Sequence, residues 1–206
     1  PFMNVAGNGL HIHLSLYDKN DQNIFSDVTS SSIPAVSNQL IHAIGGLSEL
    51  MGESMAVFAP NANSYRRLIP GNFAPLTPNW GYNHRDVALR IPVSDSNNMR
   101  IEHRVAGADA NPYLAYAAAL AAGIDGIKNA IEPPPLFSGD AYQDDAALSV
   151  PANLSEATDA LECSDMLRQT FGDYVVDHYA HFFRTEQRKY DEAVTSWERA
   201  RYFERG

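Results

Sequence analysis

The 206-residue sequence predicts an α+β chain, and three observations carry that reading. Residues 10–16 and 99–105 alternate apolar and polar side chains at the period of a half-buried strand. A further strand-like run, 87–93, is joined to the second of these by the turn-forming Ser94-Asp95-Ser96-Asn97-Asn98. From residue 107 onward the pattern is mostly helical, at 112–131, 154–161 and 164–205.

The elements follow in order. The strand ending near Leu16 stops at Asp18-Lys19-Asn20-Asp21, a polar turn cluster. Residues 33–58 read as a helix opened by Ser32 and Pro34. Residues 59–80 are irregular and rich in Pro, Gly and Asn, and a loop of that length in a compact domain is usually functional or disordered. The alanine-rich stretch 112–131 is apolar almost all round, which predicts a buried helix, and Pro133-Pro134-Pro135 stops it. Residues 139–152 read as a surface loop. The last helical stretch breaks near Gly172 and carries Tyr174, Tyr179, Phe182 and Phe183 along it.

Composition narrows the function classes. An apolar fraction of 45% suits one globular domain, alone or with a helical appendage. No apolar run approaches the roughly 18 residues a membrane span needs, so no membrane partner is expected. The single Cys163 rules out an internal disulfide framework and suits a reducing compartment, which makes cytoplasm the expected location. The net charge of −10 argues against a nucleic-acid partner. The chain opens Pro1-Phe2-Met3 without an initiator, and reads as the later part of a longer protein.

The charge is unevenly spread. Between Arg66 and Arg104 stand six arginines (Arg66, Arg67, Arg85, Arg90, Arg100, Arg104) against Asp86, Asp95 and Glu102. Arginine rather than lysine favours planar, bidentate binding of carboxylate or phosphate. On the 99–105 strand, Arg100, Glu102 and Arg104 share a face opposite Met99, Ile101, His103 and Val105. On the 10–16 strand, His11, His13 and Ser15 oppose four aliphatic residues. Imidazoles, a hydroxyl, one carboxylate and guanidiniums make an inventory for gripping a metal and anions. Ordinary surface ion pairs and polar strand residues are the plainer alternative.

Four blocks in register resemble the glutamine synthetase family: Gly9-Leu10-His11-Ile12-His13-Leu14-Ser15-Leu16, Asn63-Ser64-Tyr65-Arg66-Arg67-Leu68-Ile69-Pro70-Gly71, Arg100-Ile101-Glu102-His103-Arg104, and Ala108-Asp109-Ala110-Asn111-Pro112-Tyr113-Leu114-Ala115 with Gly123-Ile124-Asp125-Gly126-Ile127-Lys128. The match covers the C-terminal portion of the catalytic domain. It implies an antiparallel sheet packed with helices and a helical C-terminal part. It also implies ligation of the glutamate γ-carboxylate to an amine: ATP phosphorylates the carboxylate, and the amine displaces phosphate from γ-glutamyl phosphate.

The resemblance assigns roles. His11 and Glu102 are the expected ligands of a divalent metal, Mg²⁺ or Mn²⁺, that bridges the ATP phosphates. Arg85 and Arg90 lie over the transferring phosphate and nucleotide and are the catalytic candidates. Gly7, Arg67, Arg85 and Arg104 are expected at glutamate, and His13 and Ser15 at the nucleotide. The remaining metal carboxylates and a small N-terminal domain that completes a neighbour's site in a ring-shaped homo-oligomer are expected upstream, which makes the 206-residue chain alone inactive.

Departures bear on the amine. Ammonium-using members carry a Glu two residues after the Pro-Gly of the substrate loop, where this chain has Phe73. An aromatic ring cannot take a proton but packs against an alkyl chain or meets a cation through its face. Ala6 replaces the Asn expected beside Gly7, and Asn97-Asn98 lacks the expected basic residue. Residues 194–205 resemble the tail of the γ-glutamylpolyamine synthetase branch. Tyr142 falls near a regulatory tyrosine of some relatives and reads here as a surface residue. The leading expectation is an organic amine or polyamine acceptor. An ammonium-using glutamine synthetase, a guanidino-phosphotransferase and a non-catalytic relative stay open.

Overall fold

The structure, a computed structural model, describes residues 7–27, 29–31, 34–70, 74–93, 95–141 and 150–205. Four three-residue strands, β1 (Ile12–Leu14), β2 (Trp80–Tyr82), β3 (Leu89–Ile91) and β4 (Ile101–His103), form one sheet in the order β1-β4-β3-β2. β4 runs antiparallel to both β1 and β3, and β2 runs parallel to β3. The α+β expectation holds, with a mixed sheet in place of a purely antiparallel one. The strands at 87–93 and 99–105 are shorter than their patterns. β2 was hidden because Trp80-Gly81-Tyr82 is too brief to show a period.

The helices are α1 (Asn38–Glu49), α2 (Met55–Phe58), α3 (Pro112–Asn129), α4 (Leu154–Cys163), α5 (Asp165–Phe171), α6 (Asp173–Glu192) and α7 (Ser196–Tyr202). The expected 33–58 helix is two, because the chain turns over residues 50–54. Its cap is Ser37, whose side chain accepts from the Leu40 N–H; Ser32, expected to open it, lies outside the described residues. Side-chain caps at Asn111, Asn153, Ser164 and Thr195 start α3, α4, α5 and α7 by taking up orphan backbone donors. Gly172 separates α5 from α6, as expected; a further break at 193–195 sets α7 apart.

One sheet face and the helices make the core. Ile12, Leu89, Ile91 and Ile101 are buried in one cluster with Leu40, Ile44 and Leu47 of α1 and Ala115, Ala118 and Ala119 of α3. α1 and α3 cross at glycines: a Cβ on Gly46 would stand 2.7 Å from Gly126 Cα, and one on Gly126 would stand 2.8 Å from Gly46 Cα. Backbone meets backbone there, so neither neighbour gives way. After α3 the chain returns to the sheet edge, where Trp80 Nε1 donates to Pro134 O at 2.7 Å and Phe137 N to Trp80 O at 3.1 Å.

His103 sits on the core face of β4, fully buried, with its ring 4.6 Å from that of Phe58. Neither ring nitrogen has a hydrogen-bond partner, so protonation has nothing to offset the lost water. Burial, with a smaller contribution from the His11 charge, lowers its pKa from 6.5 to about 4.

Two stability measurements check this packing. Gly46→Ala should destabilise the protein by about 1–3 kcal/mol in chemical denaturation, the range for overpacking. For His103 the folded pKa lies below the unfolded one, so the unfolded chain binds the extra proton. Stability should therefore fall as pH drops from 6.5 towards 4, by on the order of 3 kcal/mol in all. That part of the acid slope should vanish in His103→Leu.

Candidate active site

The opposite face of the sheet carries the charge. Register places His13 opposite Glu102 and Glu102 opposite Arg90, so the three side chains form a row across β1, β4 and β3. His11 lies two residues before His13, and Arg104 two after Glu102, which puts both on the same face. The period-2 code of the two segments is thus one surface.

Glu102 is the hub. Only 4% of it is exposed, and its oxygens receive Arg90 Nη1 at 2.5 Å and Arg104 Nη1 at 2.6 Å. His11 Nδ1 stands 3.2 Å from the oxygen that Arg104 holds. Burial pushes the Glu102 carboxyl up, but the Arg90 hydrogen bond and the charge and hydrogen bond of Arg104 outweigh it, leaving it below the ordinary carboxylate range. Two guanidiniums against one buried carboxylate leave a net positive charge. Arg90 Nε and Arg104 Nε are buried without a partner. Each is a buried donor left without an acceptor among the described residues.

His11 is kept neutral. Burial and the Arg104 charge lower its pKa below 6.5, against the opposing pull of Glu102. A neutral imidazole beside an ionised carboxylate is a fitting pair of metal donors. Among the described residues no group of three or more His, Cys, Asp or Glu side chains gathers to hold a metal. The pair fits Mg²⁺ or Mn²⁺ as part of a shell, since Mg²⁺ is usually held by one or two carboxylates plus substrate phosphates and waters.

Of the other expected residues, Arg67 approaches the hub: a Cβ on Gly9 would stand 3.4 Å from His11 Nε2 and 3.5 Å from Arg67 Nη1. Arg67 emerges from the end of the short 3-10 turn Ala62–Arg66 and donates from Nη2 to Val105 O. Gly7 packs on it: a Cβ there would stand 2.9 Å from Arg67 Cγ, so a side chain at Gly7 would have to displace the arginine. Ser15 donates to Met99 O at 3.2 Å. Arg85 stands exposed in the 83–88 connection between β2 and β3, apart from the groups bonded to Glu102. Ala6, Phe73 and Tyr142 lie outside the described residues.

Two residues missed from sequence extend the row. Arg100 Nε donates to His13 Nδ1 at 3.2 Å and Nη1 to Asn98 O at 2.8 Å. Its place on the polar face of residues 99–105 was the available signal. Tyr17 continues the sequence His11, His13, Ser15, and its hydroxyl donates to Asn97 O at 2.9 Å while half its surface stays exposed.

Comparison with known proteins places the chain in a family. Residues 1–202 match the family model described as glutamine synthetase, catalytic domain. The chain belongs to the glutamine synthetase catalytic-domain family. It is 40% identical to a γ-glutamylethanolamide synthetase, GlnA4, of Streptomyces coelicolor, over 98% of this chain and 42% of that protein. Identity is 37% to the γ-glutamylputrescine synthetase PuuA of Escherichia coli, over 96% and 41%. For a glutamine synthetase of Pyrococcus abyssi it is 36%, over 98% and 49%. The structure of a GmaS/ADP complex superposes with a TM-score of 0.88 at 33% identity, covering 98% of this chain and 47% of that one. The chain thus spans less than half the length of these family members. No helix among the described residues is long and apolar enough to cross a membrane.

Removal of the hub charge tests the electrostatics. Glu102→Gln should cost about 3–5 kcal/mol in unfolding free energy, because two guanidiniums stay buried with no counter-charge. The same change in Glu156, an exposed first-turn residue of α4, should cost under about 1 kcal/mol.

Proposed function

We propose that this chain supplies the nucleotide- and glutamate-facing part of an ATP-dependent carbon–nitrogen ligase that joins the glutamate γ-carboxylate to an organic amine. The observation that supports it is the Glu102 hub, where two arginines and a neutral histidine converge on one buried carboxylate. The family membership and the γ-glutamyl amide synthetases among the relatives favour the same chemistry.

The residues divide the labour. Arg67 and Arg104 hold the carboxylates of glutamate. His13 and Ser15, with Arg100 beside them, line the nucleotide, and Arg85 and Arg90 neutralise the phosphoryl group in transfer. A γ-carboxylate oxygen attacks the terminal phosphorus and ADP leaves. The amine nitrogen then attacks the acyl carbon, phosphate leaves with the former carboxylate oxygen, and the nitrogen gives up a proton. Phosphoryl transfer is mainly positioning and charge stabilisation, which is what an arginine-rich face with a buried carboxylate hub provides. His11 and Glu102 would hold Mg²⁺ or Mn²⁺, which supplies charge neutralisation at the phosphates. Residues beyond this chain complete that shell and the site.

Phe73 governs the acceptor in this reading. A carboxylate at that position binds ammonium and takes its proton; a phenyl ring offers surface to methylenes. At roughly 0.8 kcal/mol per methylene, a four-carbon diamine gains about 3 kcal/mol over ammonium, or about 100-fold. Phosphate release by the full-length enzyme, with glutamate, ATP and either putrescine, ethanolamine or ammonium, should give a kcat/KM that is highest for an organic amine. Phe73→Glu should narrow the gap. Preference of the unaltered enzyme for ammonium would make it a glutamine synthetase instead.

A further inference from the structure

We infer that Asp109 is a positioning residue for Arg67, holding the turn that carries this arginine while leaving its charge free for a substrate carboxylate. The inference rests on the reading of Arg67 as a glutamate anchor. Asp109 lies in the loop that leads from β4 into α3, and the turn Ala62–Arg66 lies nearly fifty residues earlier. One oxygen spans that separation. Asp109 Oδ2 accepts from Ser64 Oγ at 2.6 Å and from Asn61 Nδ2 at 3.1 Å. Asn61 and Ser64 also lock each other in a capping box, with the Asn61 N–H donating to Ser64 Oγ at 3.0 Å. Three polar groups therefore fix the start of the turn, and Arg67 follows its last residue.

The backbone is built around this carboxylate. Gly107 has no Cβ where one would collide with Asp109 Oδ1 and come within 3.8 Å of Arg67 Nε. Asp109 thus folds back over Gly107 towards the arginine. It stops short of pairing with it: among the described residues no carboxylate lies within ion-pair reach of Arg67. Burial lowers the Arg67 pKa, and the Asp109 charge opposes that fall. Arg104 is the contrast, since Glu102 already occupies it at 2.6 Å. Ser64 and Asn61 hold Asp109 Oδ2 in two hydrogen bonds, which keeps a supporting negative charge close without consuming the guanidinium. Without Ser64 the carboxylate is free to swing onto Arg67 and compete with substrate.

The test uses steady-state kinetics of the full-length enzyme. Asp109→Ala and, separately, Ser64→Ala should each raise KM for glutamate at least tenfold, with KM for ATP within twofold and kcat within threefold. Asp109→Asn, which keeps an acceptor oxygen, should recover part of the loss. In an Arg67→Ala background, Asp109→Ala should add no further rise in glutamate KM. A role in folding alone predicts lower Tm with all kinetic constants moved alike and additive effects in the double variant; that result overturns the inference. If Arg67→Ala leaves glutamate KM unchanged, the anchor reading itself fails and takes this one with it. If Arg67→Ala raises it and neither Asp109→Ala nor Ser64→Ala does, only the positioning role is lost.

Discussion

One buried carboxylate sets the charge balance of the whole site. Glu102 is taken out of water at the centre of a small sheet, where an unpaired charge costs several kcal/mol. Its two oxygens offset that cost by gathering Arg90 and Arg104, and the pairing in turn buries those two guanidiniums. The cluster is overcharged with cation by construction. In the proposed ligase this positive charge would attract phosphate and carboxylate, and a divalent metal on Glu102 and His11 would release the arginines to meet them.

Register makes this possible. A strand slipped by one residue exchanges its two faces, which would bury His13 in the helical core and expose Ile12. The helices behind the sheet fix the register: α1 and α3 approach through Gly46 and Gly126 closely enough to seal Ile12, Leu89 and Ile101 on the apolar side. His103 marks the cost of the arrangement. It faces that core with two unsatisfied nitrogens and is kept neutral by its surroundings.

The polar face was legible because period-2 alternation survives in short strands and because His, Glu and Arg are unusual side chains to alternate. Alternation put His11 and Glu102 each on the polar face of its own strand; the β1–β4 pairing brings them to 3.2 Å. The alanine-rich helix was legible as a helix, but not as a fully buried one: its small residues Ala115, Ala118, Ala119 and Ala122 face the core while Tyr113, Tyr116 and Leu120 stand exposed. β2 was not legible, since three residues with a glycine in the middle, just after Pro78, have no measurable period. Nor was the break after α1, where residues 50–54 turn without a proline. The Asn61–Ser64–Asp109 network was invisible because hydrogen-bonding residues so far apart in sequence leave no local pattern. Arg100 was visible on the polar face, yet its bond to His13 depends on a cross-strand pairing that only the structure supplies.

The central claim is that Glu102 and His11 share a metal while Arg90 and Arg104 turn to anions. A crystal structure of the full-length enzyme soaked with Mn²⁺ and a nucleotide, with anomalous scattering collected for manganese, tests it most directly. The account predicts an anomalous peak about 2.0–2.5 Å from a Glu102 oxygen and from an imidazole nitrogen of His11. It also predicts that at least one of the two arginines leaves Glu102 for a phosphate. Manganese bound elsewhere at saturation, with both arginines still on Glu102, would contradict it.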